Sequence, residues 1–262
     1  MTVDAVILAG GRNSPAMQAT AHTEVRALTP LGAHTMLDYV VQALAAASSV
    51  GRIVVVGAVP PGDAYQQTPP AETLMDNLFA GIAAARQSSP DSRILVSTSD
   101  IPFLTPASVD DFVAQSLVAD ADFCYPIVPI DICRAAYPQM KRTTVRLREG
   151  TFTGGNLMLI NPDFVLTQRD TLARAYAARK HPLQLGAMLG WGLLARLLIA
   201  QTLAPSVLTI PQLEQGVARL LGHGCRARAI PTRYPEIGTD IDSPEDVALA
   251  RTLLTEGTST TT

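Results

Sequence analysis

The sequence has few charged residues and almost no lysine. Charged residues make up 16% of the 262 residues against 47% hydrophobic ones, which excludes a disordered or fibrous chain. Of 20 basic residues only Lys141 and Lys180 are lysines, so arginine supplies nearly all positive charge and favours two-pronged contacts to carboxylate or phosphate. The net charge of −3 and the pI of about 5.8 argue against nucleic acid as a partner.

Cysteine and histidine are also scarce, and neither shows the spacing of a metal or redox site. Cys124, Cys133 and Cys225 form no CxxC pair, which argues against a disulfide framework; we expect the first in a buried strand and the second in a loop. The four histidines lack HxxH or HExxH spacing, and GxSxG, GxGxxG and GxxxxGK[ST] are missing. The N-terminus is unlike a secretory signal, so we expect a cytoplasmic protein.

The most apolar stretch runs from Leu183 to Leu203 and is rich in leucine, alanine and glycine. Gln184, Arg196 and Gln201 interrupt it, and an arginine in mid-segment is costly in lipid. We therefore expect one or two buried helices here in preference to a helix that contacts a membrane.

Short apolar runs recur along the chain and alternate with segments of helical spacing. The first, Val3 to Ala9, is nearly continuous and ends in two glycines, as expected of a central strand in a parallel sheet. Pro126 and Pro129 follow the run that begins at Ala121, which predicts an edge strand because proline cannot donate to a ladder. The predicted strands are residues 3–9, 52–57, 93–97, 121–125, part of 141–148, 156–160 and 225–230.

Helix-start signals lie between these runs. Thr35 followed by Asp38 resembles a capping box. Ser243-Pro244, with an acid at the third helical position, begins a last helix that ends near Glu256. The predicted helices are residues 36–47, 74–86, a segment from 106 onward, most of 162–221 and 244–256, while 12–30 is a predicted loop and 150–155 a predicted turn.

This alternation predicts an α/β, Rossmann-like fold with a mainly parallel sheet and helices on both faces. The chain shows no repeat and no linker, so we expect one domain over residues 1–256 and a disordered tail over 257–262. Residues 162–221 are predicted to be a mostly helical insertion that shapes an acceptor site or a contact within a homo-oligomer.

Three segments could carry chemistry at the carboxyl ends of the strands, where doubly wound sheets bind ligands. The amides at Gly10-Gly11 suit phosphate, although the glycines also suit a plain turn. Asp100 ends the third predicted strand and suits Mg²⁺, which needs few protein oxygens beside a substrate phosphate; alternatively it only orders the turn. Asp240 and Asp242 share one face of an extended segment and could complete that site, unless Asp242 only orders the last helix.

A basic stretch precedes a second pair of glycines. Lys141 and Arg142, with Arg146 and Arg148, could hold an anionic acceptor together with the Gly-Gly-Asn of residues 154–156. The alternative is a solvated strand face, which fits Arg146 and Arg148 best.

The order of these motifs resembles that of a MobA-like NTP transferase, a nucleotidyltransferase with a glycosyltransferase-A-like, Rossmann-related fold. The resemblance extends over nearly the whole chain, and the order is more specific than any single motif. Its parts are Leu8-Ala9-Gly10-Gly11, Arg26-Ala27-Leu28-Thr29-Pro30-Leu31-Gly32, Ser99-Asp100-Ile101-Pro102, Gly154-Gly155-Asn156 and Asp240-Ile241-Asp242-Ser243-Pro244-Glu245-Asp246.

The resemblance implies Mg²⁺-dependent transfer of a nucleotidyl group from an NTP to a phosphorylated or hydroxylated small-molecule acceptor, with release of pyrophosphate. Asp100 is similar to the family's metal-binding aspartate, and Arg26 stands where the family has a catalytic lysine. The expected nucleotide contacts are Leu8, Ala9, Gly10, Gly11, Arg12 and Ser99, the acceptor contacts are Lys141, Arg142, Gly154, Gly155 and Asn156, and the Mg²⁺ ligands are Asp100, Asp240 and Asp242.

Two other functions stay open at this point. A nucleotide-sugar glycosyltransferase would use Asp240-x-Asp242 and release no pyrophosphate. A non-catalytic nucleotide-binding protein would account for the loop after Gly11, where Ala16-Met17-Gln18 replaces the family's Arg-Met-Gly.

Overall fold

The computed structural model of the protein describes residues 2–87, 89, 92–178, 188, 191–202, 204–222 and 224–258. Within these residues, one sheet of nine strands carries helices on both faces, and a two-stranded hairpin lies apart from it. The hairpin is β2 (Pro30–Leu31) and β3 (His34–Thr35). The sheet contains β1 (Val3–Leu8), β4 (Val50–Val56), β5 (Gln66–Thr68), β6 (Ile94–Thr98), β7 (Phe123–Pro129), β8 (Val145–Leu147), β9 (Gly150–Gly154), β10 (Leu157–Ile160) and β11 (Ala227–Pro231).

Each predicted helix is present, whereas the short helices at Pro15–Ala21 and Ile130–Ala136 were not predicted. Thr35 and Asp38 cap each other at the start of the second helix, and Ser243 and Asp246 do the same at the last. The helices are α1 (Pro15–Ala21), α2 (Met36–Ala46), α3 (Leu74–Arg86), α4 (Pro106–Ala119), α5 (Ile130–Ala136), α6 (Pro162–Thr167), α7 (Arg169–Ala178), α8 (Trp191–Thr202), α9 (Ile210–Leu221) and α10 (Pro244–Thr258).

The sheet is mixed but mostly parallel. Its order is β5-β4-β1-β6-β10-β7-β9-β8, with β11 paired to β7. β5, β4, β1 and β6 are mutually parallel, β10 runs opposite to both neighbours, and β9 is antiparallel to β7 and β8. Because β11 is parallel to β7, every strand except β9 and β10 points the same way. The predicted Rossmann-like α/β fold is confirmed.

Two hydrophobic layers hold the helices on the sheet. Alternate residues of β1 point to opposite faces, so Ile7 and Val6 belong to different layers. Ile7 shares a layer with Leu44 of α2 and Phe112 of α4, while Val6 shares the other with Phe79 of α3. Since both faces are covered, β1 is buried throughout, which explains why its sequence is apolar at every position except Asp4.

The fourth predicted strand, β7, lies inside the sheet, so the edge prediction was wrong. It pairs with β10 and β9 on one side and with β11 on the other. Pro126 lies where the neighbour changes from β10 to β9, and Gly155 at that junction donates its N–H to the Pro126 carbonyl at 2.9 Å. Pro129 is the last residue of the strand. Neither proline therefore lies where strand pairing requires a backbone N–H, so the missing N–H does not disrupt the sheet.

Two segments predicted to be irregular contain regular structure. Residues 12–30 include α1, whose N-terminus Ser14 caps, and a 3₁₀ turn at Arg26–Leu28. Residues 150–155 are mostly β9, since Gly150–Gly154 pairs with β7 and β8. Glycine is rare in strands, so the sequence pattern favoured a turn there.

Two further predictions need correction. Cys133 is buried in α5 instead of lying in a loop, whereas Cys124 lies in a buried strand as expected. The last helix continues to Thr258, so residues 257 and 258 are helical and do not belong to a disordered tail. The remaining residues of that predicted tail, 259–262, lie outside the described residues.

The insertion of residues 162–221 is mostly helical where the structure describes it, as predicted. α8 is the main described part of the apolar stretch Leu183–Leu203; residues 183–187, 189, 190 and 203 lie outside the described residues. The prediction of a buried helix was wrong for α8, because Leu198 and Ile199 are exposed and Ala200 is its one buried residue among those whose burial the structure describes. Among the helices that the structure describes, none has the length and hydropathy to span a bilayer.

Asp110 of α4 stabilises the turn that follows α2. Its carboxylate accepts four hydrogen bonds at 2.6–3.1 Å from the amides and hydroxyls of Ser48 and Ser49. Burial acts to raise the pKa of Asp110, but these hydrogen bonds outweigh burial and lower the pKa.

Asp110→Asn is expected to lower the free energy of unfolding by about 1–2 kcal/mol at pH 7, because an amide group cannot accept all four bonds. A lowered folded-state pKa makes this stabilisation fully present above the unfolded-state pKa of about 3.9, and it is lost as the pH falls through the folded-state pKa. Urea unfolding of wild type and variant at pH 7 and near pH 3 measures the loss. A pH-independent difference, or an equal effect of Asp111→Asn on the same helix, would contradict the assignment.

Candidate active site

The candidate site lies at the carboxyl ends of β1 and β6. Leu8 and Thr98 are paired in parallel register, so the turns that follow them lie side by side. The first turn is Gly10-Gly11 and the second contains Ser99 and Asp100. The register of two neighbouring strands therefore places the glycine turn next to a carboxylate, as the sequence predicts.

The polar segment after Gly11 folds back on itself and delivers Arg26 to this edge. Asn13 donates its amide to the carbonyl of Glu24 at 2.8 Å, and Arg26 donates its amide to Gly11 at 3.0 Å. α1 fills the loop between these bonds, and its last residue is followed by His22 in the left-handed region. The guanidinium of Arg26 reaches the site because its backbone is paired to the glycine turn.

The segment after β11 brings two more carboxylates to the same place. Ile241 donates its amide to the Asp100 carbonyl at 2.9 Å, which fixes Asp240 and Asp242 on either side of that bond. Asn156 donates its amide to Ile237 at 2.9 Å and anchors the preceding 3₁₀ turn, Pro235–Gly238. The prediction that these two aspartates lie near Asp100 thus agrees with the structure.

Two arginines bind the three carboxylates. Arg26 Nη1 lies 3.2 Å from Asp100 Oδ2 and 2.5 Å from Asp242 Oδ1. Arg142 Nη1 lies 2.5 Å from Asp240 Oδ1, and its Nη2 donates to the Asp240 carbonyl at 3.1 Å. Three carboxylates against two guanidiniums leave a formal surplus of one negative charge, which favours a further cation.

The cluster is partly buried, and this shifts its protonation. The side chain of Asp100 is 15% exposed and that of Arg142 only 9%. Burial, and next the neighbouring Asp242 carboxyl, raises the pKa of Asp240 to about 7, although Arg142 acts to lower it. Asp100 Oδ1 and Arg26 Nε are buried without a hydrogen-bond partner among the described residues. Asp100 Oδ1 can therefore still accept a donor or bind a cation, and Arg26 Nε can still donate to an acceptor.

A cleft of about 350 Å³ opens beside the cluster. Of the predicted residues it brings together Leu8, Gly10, Gly11, Arg26, Ser99 and Asp100. Sequence reasoning missed the wall formed by the start of α3 and by α7, which contributes Ala71, Glu72, Thr73, Leu74, Asn77 and Tyr176, together with Thr98 of β6. The sequence offered one signal, the polar pair Asp76-Asn77 at the start of a helix that is otherwise apolar up to Arg86.

Arg142 also lines a second, more basic pocket of about 530 Å³. Arg134 and Lys141 line it together with Arg142, and Cys133 and Met140 add apolar walls. The pocket is connected to the cluster through Arg142, which pairs with Asp240, and the cleft is connected to it through Asp100 and Arg26. This arrangement suits two anionic ligands that meet at the carboxylate cluster.

The sequence matches the model of the MobA-like NTP transferase domain over residues 5–229. A hypothetical transferase from Thermus thermophilus has a similar structure, with 36% identity, a TM-score of 0.81, and coverage of 94% of this chain and 100% of that one. The chain belongs to the MobA-like NTP transferase family. It is accordingly a nucleotidyltransferase.

Other solved structures share the fold of this MobA-like NTP transferase at low identity. CMP:2-keto-3-deoxy-manno-octonic acid synthetase in complex with CTP is 13% identical, with a TM-score of 0.63 and coverage of 98% of this chain and all of that one. A nucleotidyl transferase from Methanothermobacter is 18% identical, with a TM-score of 0.57 and coverage of 98% and 99%. A comparison with curated protein sequences gave no match.

Not every predicted site residue of the MobA-like NTP transferase reaches the cleft. Arg12 is exposed and pairs with Glu24. Ala9 is buried, its amide donates to Val56 at 2.8 Å within the sheet, and it is not among the described residues that line the cleft. Gly155 and Asn156, predicted to contact the acceptor, instead tie β7 and the Pro235–Gly238 turn to β10.

Gly10→Ala is expected to weaken NTP binding by roughly tenfold, whereas Gly11→Ala should have a smaller effect. A Cβ at Gly10 would lie 2.6 Å from Asn77 Nδ2, and Asn77 Oδ1 holds the Ala71 amide at 2.6 Å, so the wall of the cleft would shift. A Cβ at Gly11 meets its first neighbour, Arg26, only at 3.8 Å. Calorimetric titration with NTP compares the two, and equal losses would contradict the steric argument.

Proposed function

We propose that this protein is a Mg²⁺-dependent nucleotidyltransferase that moves an NMP group from an NTP to a phosphorylated or hydroxylated small molecule, with release of pyrophosphate. One observation carries the proposal. Asp100, Asp240 and Asp242 come from distant parts of the chain but lie close together beside the Gly10-Gly11 turn. A cluster of carboxylates next to a glycine turn whose amides can bind phosphate suits a transfer reaction at a phosphorus atom.

The nucleotide side of the site rests on backbone groups. The Gly10-Gly11 turn and the start of α3, capped by Thr73, border the same cleft. Amides of a glycine turn and the positive end of a 13-residue helix both favour a triphosphate. Asn77 holds these two walls at a fixed spacing, since it contacts Gly10 and bonds to Ala71.

The donor set of the cluster fits Mg²⁺. All three side chains offer carboxylate oxygens, and Asp100 Oδ1 is buried with no partner among the described residues. Within those residues no group of three or more His, Cys, Asp or Glu side chains is placed so that it could hold a metal ion by itself, so substrate oxygens would have to complete the coordination. Mg²⁺ commonly binds through one or two carboxylates and substrate phosphates, so Asp100 with Asp240 or Asp242 would suffice. The ion would neutralise triphosphate charge near the reacting phosphorus.

The chain's own residues serve to position the reactants. The acceptor oxygen attacks the α-phosphorus in line with the bond to the β-phosphate; one P–O bond forms, the other breaks, and pyrophosphate leaves with the electron pair. A hydroxyl acceptor releases its proton to solvent, and a phosphate acceptor has none to release. Arg26 supplies positive charge beside the glycine turn, and Lys141 and Arg134 supply it for an anionic acceptor.

The test is pyrophosphate release from a panel of the four common NTPs with Mg²⁺ and a mixture of phosphorylated and hydroxylated acceptors. CTP comes first because a structural neighbour was solved with CTP. The expected result is release that requires one NTP, an acceptor and Mg²⁺ together. Binding of an NTP with no release under any acceptor would favour a non-catalytic nucleotide-binding role. Turnover of a nucleotide sugar without pyrophosphate would favour a glycosyltransferase.

A further inference from the structure

The basic pocket beside Arg142 lies at the edge of the sheet that also holds the carboxylate cluster. α5 forms part of its lining and begins directly after Pro129, the last residue of β7. β10 runs antiparallel to both β6 and β7, so β7 points the same way as β6, which leads to Asp100. Tyr137, which follows α5, stacks on Phe103 in the segment after Asp100, with ring centroids 5.0 Å apart. The pocket therefore lies at the edge where doubly wound sheets bind their ligands.

Two residues of the pocket lining contact the segment that carries Asp240. Arg142 lines the pocket, and its guanidinium forms the 2.5 Å ion pair with Asp240. Met140 also lines the pocket and belongs to the same apolar cluster as Ile241, the residue that follows Asp240. The wall of the pocket and the carboxylate cluster are thus parts of one packed unit, and a ligand in the pocket lies next to the cluster.

The charges that line the pocket are positive. Among the described residues Arg134, Lys141 and Arg142 line it and no carboxylate does, whereas the described lining of the nucleotide cleft contains one arginine and two carboxylates. Arg134 and Lys141 are exposed, and within the described part of the chain neither side chain has an ion pair or a hydrogen bond. The side chain of Arg142 is 9% exposed, and its Nε is buried with no described partner. The pocket therefore has positive charge that no described carboxylate of its lining neutralises.

The composition of the pocket suits a phosphate ester. Such an ester carries about 1.5 to 2 negative charges at pH 7, more than a carboxylate, so several cations together favour it. The guanidinium of Arg134 can bind two phosphate oxygens, and Lys141 adds a point charge. Ile130, Pro138 and Met140 provide apolar walls for a carbon skeleton. The volume of about 530 Å³ lies within the range of small-molecule sites, about 300–1,000 Å³.

A phosphate bound in this pocket is separate from the group that reacts. No described residue lines both the pocket and the nucleotide cleft. Arg142 is the one described residue that both lines the pocket and contacts a carboxylate of the cluster, and two hydrogen bonds hold its guanidinium on Asp240. The pocket is therefore suited to hold a reactant by a remote group while another group of the same molecule lies at the cluster.

We propose that the acceptor carries a phosphate that does not react, and that this phosphate binds to Arg134 and Lys141 in the basic pocket. The proposal rests on the proposed nucleotidyl transfer and names the class of its acceptor, a phosphate ester with a second oxygen nucleophile. The second group attacks the α-phosphorus and forms the new P–O bond, while pyrophosphate leaves with the electron pair of the broken bond. A hydroxyl nucleophile releases its proton to solvent. The anchored phosphate forms and breaks no bond; it orients the nucleophile.

Binding of inorganic phosphate tests the pocket without turnover. Calorimetric titration of the intact protein at low ionic strength should show that Arg134→Met and Lys141→Met each weaken phosphate binding by about tenfold. Both side chains are exposed, so the variants should fold, and thermal unfolding verifies this. The matched control is Arg52→Met, which removes the same charge at an exposed position near the amino end of β4, at the opposite edge of the sheet. It should bind phosphate as wild type does.

Two results of this titration would overturn the proposal. Phosphate binding that survives in both pocket variants would place the anion elsewhere, for instance at the Gly10-Gly11 turn. Acetate that binds as tightly as phosphate would mean that the pocket selects a carboxylate.

Kinetics with an acceptor that supports pyrophosphate release tests whether the anchored phosphate belongs to it. Arg134→Met should raise the KM for this acceptor by about tenfold and leave kcat nearly unchanged, because a remote anchor contributes equally to the ground state and the transition state. The same acceptor without its non-reacting phosphate should show a similarly raised KM in wild type and no further rise in the variant.

These kinetics separate the two proposals. Efficient release with an acceptor that has no second phosphate, unaffected by Arg134→Met, would keep nucleotidyl transfer and refute the anchor. A fall in kcat with unchanged KM would also refute it, because Arg134 would then act on the reacting group. Phosphate binding in the pocket with no pyrophosphate release on any acceptor would refute the transfer and its acceptor, and leave an anion site.

Discussion

Asp100→Asn is expected to reduce the rate of pyrophosphate release by about 1,000-fold or more, the largest effect on activity expected from a single substitution. Asp100 is the carboxylate of the cluster that has a buried oxygen without a partner among the described residues, and the amide group of asparagine offers a cation only a neutral oxygen. A loss of this size corresponds to about 4 kcal/mol of transition-state stabilisation, the scale of a metal ligand in phosphoryl chemistry.

The same variant should fold normally. Asparagine keeps the size of Asp100 and can still accept from Arg26, which retains Asp242 as a partner at 2.5 Å. Circular dichroism and thermal unfolding verify this beside the rate measurement. The control is Asp63→Asn, which makes the same change at an exposed aspartate outside the carboxylate cluster. This variant should keep wild-type turnover. Activity of Asp100→Asn within tenfold of wild type would disprove the metal-binding role.

Arg142→Met is expected to destabilise the fold by about 3–5 kcal/mol at pH 8 in the absence of divalent ions, the largest effect on stability expected here. The guanidinium is 9% exposed and makes both a 2.5 Å ion pair with Asp240 and a bond to its carbonyl. Methionine keeps the apolar packing but leaves a buried carboxylate without a counter-charge. Urea unfolding with EDTA measures the loss.

The loss should shrink as the pH is lowered. The pKa of Asp240 is already raised to about 7 in the folded protein and rises further without Arg142, whereas in the unfolded chain it lies near 3.9. Between these values the folded variant holds one more proton than the unfolded chain, so its stability falls as the pH rises. Unfolding at pH 5.5 and pH 8 should show the variant closer to wild type at the lower pH.

The double variant Arg142→Met with Asp240→Asn distinguishes charge from packing. It removes both members of the pair, so most of the stability should return at pH 8. A double variant as unstable as Arg142→Met would mean that the loss comes from packing around Met140 and Cys133. Neither result depends on knowing the acceptor.

Local chemistry predicted the framework of this molecule well. The run from Val3 to Leu8 is apolar on both faces because helices cover both, and that alone identifies a central parallel strand. The capping box at Thr35 predicted the first residue of α2 correctly. The alternation rule placed Asp240 and Asp242 together, since it needs only an extended backbone.

Features that depend on contacts between residues far apart in the sequence could not be predicted from it. Pro126 predicted an edge strand because proline has no N–H to donate. No donor is needed there, since Pro126 lies where the strand beside β7 changes from β10 to β9, and the residues around Pro126 do not reveal this change. Arg12 and Glu24 are twelve residues apart in the sequence. They form an ion pair because the loop between them, which contains α1, folds back on itself. Asn77 reaches Gly10 across the sheet edge, and only the packing of α3 on β1 brings the two together.

The hydrogen bond from Ile241 to Asp100 joins parts of the chain that are synthesised far apart in time. On the ribosome, β1, β4 and β6 can pair as soon as they emerge, yet the carboxylate cluster lacks two members until Asp240 and Asp242 follow. The three carboxylates can therefore come together only after nearly the whole chain has emerged, whereas the strands that place Asp100 can pair much earlier.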